Sequence, residues 1–186
     1  MSTSGKAVVV CGGKRGVLST GKTAVFDAEG NCAACCGCRS EQYGILNSSA
    51  FGWQPAPQQD GTSVHGTFRF EDSANCGGPN GNVQGGRAVC RACFAVPMTV
   101  SYRLAGPTER QNAGYDISSI LRDGAQRVVI GGTEEHLGCA MLNHEAVAQE
   151  VVAAGPHTFE FRTSTIDGLY HMGMTHTFLV DWEPAP

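Results

Sequence analysis

The chain has 186 residues, among them 25 glycines and nine cysteines, and only 16% of it is charged. That length is enough to bury a full core, and a charge content below the quarter or so of ordinary soluble domains, with abundant glycine, suits tight turns and contact surfaces better than a free, heavily solvated enzyme. The formal net charge of −4 is unevenly placed: all three lysines and Arg15 lie in the first 26 residues, while the remainder, from Asp27 on, holds nine arginines and all 17 acids.

Met1 to Lys6 leads into only Ala7–Cys11, too short for the apolar segment of a signal peptide. No run reaches the length of a transmembrane helix. Synthesis in the cytoplasm without a signal peptide is therefore expected, with no membrane partner. The basic start either protects a strand edge or docks on an acidic neighbour; nucleic acid is not an expected partner. Residues 6–11 and 23–27 read as short strands around Gly12-Gly13-Lys14-Arg15-Gly16. Gly16 to Thr23 matches the phosphate-binding pattern of glycine, four residues, then Gly-Lys-Thr. A working loop of that kind needs a buried strand before the first glycine and a helix after the threonine. Glycines and cations precede it here, and Val25, Phe26 and a Glu29-Gly30-Asn31 turn follow, so a glycine-bounded turn is expected.

Cys32, Cys35, Cys36 and Cys38 form the densest chemical feature, and Cys90-Arg-Ala-Cys93 adds a further pair. Two Cys-x-x-Cys knuckles present four thiolates to one metal, the arrangement of a structural zinc site. Cys32, Cys35, Cys90 and Cys93 are the candidate ligands, with Cys36, Cys38 and Cys76 as alternatives. Spacing alone leaves disulfides, and after them reduced, buried cysteines, open as alternatives. In each case the cysteines cross-link the N-terminal half rather than catalyse, because only Arg39 and Arg91 are near enough in sequence to activate a thiolate. Zinc is the only cofactor expected.

Residues 43–62 read as an irregular loop with aromatic plugs. His65 to Phe70 is a strand, with Val64, Phe68 and Phe70 inward and Thr67, Arg69 and Glu71 outward. Residues 75–86 form a Gly/Asn-rich loop and a candidate contact surface. Met98, Val100, Tyr102 and Leu104 alternate with polar residues in a half-buried strand, which Gly106-Pro107 is expected to turn. Asp116 to Arg122 reads as one helical turn, capped by Asp116 and stopped at Gly124. Residues 128–130, 137–142 and 147–153 are further strands. Finally, residues 155–182 read as one long β-hairpin through Asp167-Gly168. In that register Phe161 faces Met174, Phe159 faces His176, and His157 faces Phe178. His176 then points into the core and His171 outward.

The histidines make no His-x-His metal pattern, and neither a serine nucleophile elbow nor a strand-end carboxylate pair stands out. A non-enzymatic protein is expected. Residues 153–161, a turn and the closing strand resemble the late strands of jelly-roll carbohydrate-binding and lectin-like domains. The cysteine cluster near the start of a charge-poor β-protein resembles structural or appendage proteins of tailed bacteriophages. The fold expected is all-β, an antiparallel β-sandwich or jelly roll with a cysteine-rich, loop-rich N-terminal elaboration, residues 1–95, packed against a sandwich of residues 96–186. The phage resemblance implies a structural subunit of a virion. It would dock on other structural subunits through its N-terminal half, with a homo-oligomer expected. The alternatives are a module binding surface glycan through Trp53 or Tyr115, and a small zinc-stabilised binding protein.

Overall fold

In a computed structural model of the chain the described residues are 37–43, 52–70, 85–108, 110–111, 114–131, 142–165 and 175–186. Every regular element among them is a strand: β1 (Gly37–Tyr43), β2 (Gly52–Trp53), β3 (Gln58–Gln59), β4 (Ser63–Arg69), β5 (Gly85–Phe94) and β6 (Met98–Thr108). The second half supplies β7 (Arg110–Gln111), β8 (Gly114–Arg122), β9 (Ala125–Gly131), β10 (Leu142–Val152), β11 (Gly155–Thr165) and β12 (Thr175–Pro184).

These strands form two antiparallel sheets. The first runs β1-β5-β11-β8, with β7 and β9 both pairing with β8; the second runs β10-β6-β12-β4, with β2 and β3 on β4. Eight of the nine longer strands are nested: β4 pairs with β12, β5 with β11, β6 with β10, and β8 with β9, with β1 added at the edge beside β5. Those four pairings are the rungs of one long antiparallel ribbon. Wrapping the ribbon adds two more, β6 with β12 and β8 with β11, and sends successive rungs to alternate sheets. This is the jelly-roll winding, an antiparallel sandwich of eight principal strands.

Period-2 alternation decides what each sheet buries. On β4, Val64 and Phe68 point inward as the sequence predicts, and Phe70 just beyond the strand is also fully buried. On β6, Met98, Val100, Tyr102 and Leu104 do the same. Phe159 and Phe161 of β11 meet Phe178, Val180 and Trp182 of β12 in one core. Each such aromatic or large aliphatic side chain stabilises the fold by roughly 1.5–3 kcal/mol relative to an exposed one.

The structure corrects three expectations. Strands β11 and β12 do not pair as a hairpin. Phe161 lies beside Ala88 and Ile120 in one sheet, whereas His176 lies beside Phe68 in the other. The two apolar faces meet across the core instead: Phe159 stacks on Trp182 at 5.8 Å and 7°, and Phe161 meets Phe178 edge-on at 5.6 Å. Residues 116–122 are strand, not a helical turn. Gly124, read as a helix stop, closes a tight β8–β9 hairpin in which Asp123 (φ 49°) and Gly124 (φ 81°) both take the left-handed conformation such a turn requires. The chain also does not turn at Gly106-Pro107; β6 continues to Thr108, paired throughout with β10.

The boundary expected near residue 95 falls across both sheets. Strands β4 and β5 each pair with a strand of the second half, so the sandwich takes in residues from both sides of it. Residues 1–36, with the phosphate-loop pattern and the early strands, lie outside the described residues. So do 71–84, 132–141 and 166–174, which hold most of the glycine-rich loop, all but the last residue of the 137–142 strand, Asp167-Gly168 and His171.

Candidate functional site

Two of the three described cysteines form a clasp at one flank of the sandwich. Strand β1 pairs antiparallel with β5 so that Cys38 sits directly opposite Cys90. Their Cα atoms are 4.1 Å apart and the sulfurs are bonded. Cys90 is fully buried among the inward-facing Ala88, Ala92 and Phe94, while β1 is otherwise largely exposed. The bond therefore ties an outer strand to the core. On the same flank Trp53 crosses from the other sheet: its backbone N–H donates to Gln42 Oε1 at 3.1 Å and its indole Nε1 donates to the Glu41 carbonyl at 3.0 Å.

Of the zinc ligands expected from sequence, Cys32, Cys35, Cys36 and Cys76 lie outside the described residues. Cys90 and Cys93 both sit on β5, a regular strand, three residues apart. Alternation sends their side chains to opposite faces of the sheet, with Cys90 bonded to Cys38 and Cys93 also buried. A shared metal would need the disulfide open and the strand locally turned. Among the described residues no group of three or more His, Cys, Asp or Glu side chains converges to hold a metal ion. The strand itself was visible in the sequence, because Arg87, Val89 and Arg91 alternate with Ala88, Cys90 and Ala92.

A polar pin crosses the core at one end of the sandwich, where β12 begins and β6 and β11 finish. His176 on β12 is fully buried, as its place in the alternating set with Phe178, Val180 and Trp182 predicts, although the hairpin register does not hold. Its Nε2 lies 2.6 Å from the Pro107 carbonyl, which only accepts, so that nitrogen carries the proton. In the neutral ring Nδ1 is then left to accept from the Ser118 hydroxyl at 2.6 Å, and Ser118 shares a second 2.6 Å hydrogen bond with Thr163. A serine beside a histidine has the look of a nucleophile and its base. Here both are enclosed, Ser118 at 1% and His176 at 0% exposure, with Phe70 stacked edge-on against the imidazole. The geometry satisfies buried polar groups and joins the two sheets.

The opposite flank carries an ionic clamp that sequence patterning did not single out. Glu150 on β10 accepts from Tyr102 Oη at 2.6 Å and from Arg122 Nε and Nη2 at 2.8 and 3.1 Å. Arg127 Nε lies 3.0 Å from the same carboxylate, paired by charge although its N–H is not aligned for a hydrogen bond. Arg122 also reaches Asp123, which meets His157 Nδ1 at 2.8 Å and accepts the Thr158 backbone N–H. Burial would raise the Glu150 carboxyl, but the hydrogen bonds from Arg122 and Tyr102 and the two guanidinium charges outweigh it and hold it below the usual range. Asp123 is lowered likewise, against its burial, by His157, the Thr158 N–H and Arg122. Burial, reinforced by Glu150, pushes the Tyr102 phenol well up. Because β9 and β10 lie in different sheets, this clamp bridges the sheets where no backbone pairing does.

The aromatic platforms expected for a glycan are placed differently from one another. Trp53 packs edge-on against Phe68 at 5.1 Å and lies 5.5 Å from Phe178, so its ring serves the core. Tyr115 lies within β8, and its side chain is outside the described residues. No protein-family model matches the chain, and no curated protein matches it.

Proposed function

We propose that this chain is a non-enzymatic structural subunit of a viral particle of the tailed-bacteriophage kind, docking on neighbouring subunits through its N-terminal half. The observation that carries this reading is the jelly-roll winding in a charge-poor chain. Viral capsid and lectin domains both use that architecture. Fold by itself does not assign function, so surface chemistry has to choose between them. Trp53, the aromatic most suited to stacking on a sugar, spends its ring on Phe68 and its N–H on Glu41. That tips the choice towards assembly. Ser118, Thr163 and His176 pin the two sheets together and Glu150 with Arg122 clamps them at the flank, which suits a rigid building block.

The test is composition. Particles recovered from a producing host should contain the protein in fixed stoichiometry, retained through a high-salt wash. Deleting the residues before Gly37 should prevent incorporation while the far-ultraviolet β signal persists. A protein absent from particles, monomeric in solution and retained on glycan resin would replace this reading with the lectin one.

A further inference from the structure

We propose that β10 is a self-pairing edge, through which two copies of this chain join antiparallel about a two-fold axis at Gln149. It rests on the assembly reading only for its biological use.

Strand β10 runs from Leu142 to Val152 in unbroken register with β6 on one side, and among the described residues no strand covers its other side. An open edge offers a row of unpaired N–H and C=O groups, and monomeric proteins usually blunt such an edge with lysine, proline, a bulge or a short strand. The strand, Leu-Asn-His-Glu-Ala-Val-Ala-Gln-Glu-Val-Val, is eleven residues long with no lysine, proline or bulge, and its two carboxylates are already engaged, Glu145 with Arg103 and Glu150 with Arg122 and Arg127. Its outward face instead carries Val147 and Val151, at 68% and 65% exposure the two most exposed large hydrophobic residues described.

The occupant follows from the pattern. An antiparallel two-fold contact pairs residues whose numbers are symmetric about the axis. With the axis at Gln149, Val147 faces Val151 of the second copy, and the pair occurs twice. Gln149 meets its own equivalent, amide to amide, and Glu145 faces Ala153. Two β-branched pairs are buried on one face and no like charges are opposed. Moving the axis to Val147 leaves one valine pair and sets Val151 against Asn143. A one-residue shift to Glu150 opposes two carboxylates. The sequence therefore favours its own copy in one register. Glu145 is already paired with Arg103 on the neighbouring strand, so it brings no unpartnered charge to the junction. The outcome is one continuous sheet running through both copies.

Full-length protein should sediment as a dimer at micromolar concentration. Val147→Lys with Val151→Lys should weaken the dimer about tenfold or more, since two apolar contacts become opposed cations. Both positions are exposed, so the fold should survive; an unchanged near-ultraviolet signal from the Phe159–Trp182 stack checks this. Val147→Thr with Val151→Thr, which keeps β-branching without charge, should weaken the dimer less. Gln149→Cys should cross-link copies on oxidation, and Thr177→Cys, two strands away on the outer face, should not. A monomer at all accessible concentrations, or a lysine variant as dimeric as the parent, overturns the proposal. A dimer from a chain absent from particles would sink the virion reading and leave the edge standing. Normal incorporation of a monomeric chain would do the reverse.

Discussion

Gly106 shows how little room a single residue has in this core. A Cβ built there would sit 2.4 Å from His176 Cδ2 and 2.8 Å from the Thr175 carbonyl, and the second of these is backbone that has little freedom to move. Gly106→Ala should therefore destabilise the protein by about 1–3 kcal/mol, the range for overpacking, read as a lower denaturant midpoint at constant slope. Its neighbour Pro107 lends the carbonyl that fixes the His176 tautomer, so the dipeptide that reads as a turn signal is in fact a docking notch for an imidazole. Ser118→Ala removes the close hydroxyl from Nδ1 and leaves it the longer contact to Thr163 Oγ1 at 3.4 Å, at a cost of about 1–3 kcal/mol. Retained stability in Ser118→Ala would show that the pin contributes little. At this scale the buried faces were legible, because Phe68, Tyr102 and Phe178 each fall on an alternating stripe. The Cys38–Cys90 bond was not, since four cysteines within seven positions fix no connectivity. The zinc reading of Cys32, Cys35, Cys90 and Cys93 has its own outcome: about one zinc per chain in reduced protein, lost in Cys90→Ser. A metal-free reduced protein removes it.

Between the elements, pairing was the hard part. Alternation on β11 and β12 says that each has an apolar face, and it says so correctly. It cannot say whether two such faces lie side by side in one sheet or opposite each other in two, because both arrangements bury the same residues. Asp-Gly stands in three places; among the described residues Asp123-Gly124 turns the β8–β9 hairpin and Asp60-Gly61 lies in the short β3–β4 one. The ionic clamp was invisible for a related reason: Tyr102, Arg122, Arg127 and Glu150 come from four strands, and only the winding brings them together. Its pH dependence follows from the sign of the shifts. Glu150 and Asp123 have folded values below their ordinary 4.5 and 3.8, so they add stability that is fully present above those values and lost as pH falls through the lower folded ones. Thermal midpoints should thus be flat near neutrality and drop below about pH 4.5, and Glu150→Gln should flatten that acid limb while lowering the neutral midpoint. An acid limb identical in Glu150→Gln would place the titration elsewhere.

For the molecule as a whole, the two flanks of the sandwich are closed by different chemistry, sulfur and an indole at β1 and an ion cluster at β10. The sulfur closure links residues 52 apart in sequence, which in the chain-entropy account is worth about 4 kcal/mol. Reductant, or Cys38→Ser, should lower stability by up to about that amount, and the denaturant midpoint of oxidised against reduced protein measures it. Equal midpoints would mean that β1 is held by its hydrogen bonds and Trp53 alone.

The nested ribbon also dictates an order of events during synthesis. The only rung between immediate neighbours along the chain is β8 with β9; β6 must wait for β10, β5 for β11, and Val64 of β4 for Val180 near the end. Strands made early therefore leave the ribosome with their partners not yet translated, and the apolar stripe of β4 stays uncovered longest. Loop closure over such distances is slow, so folding should zip outward from the Asp123-Gly124 turn, with β8 and β9 amides protected first in pulse-labelled hydrogen exchange. Early protection of β4 would contradict that order. In the cell, the uncovered early strands make this a chain whose yield depends on chaperones holding its beginning until its end arrives.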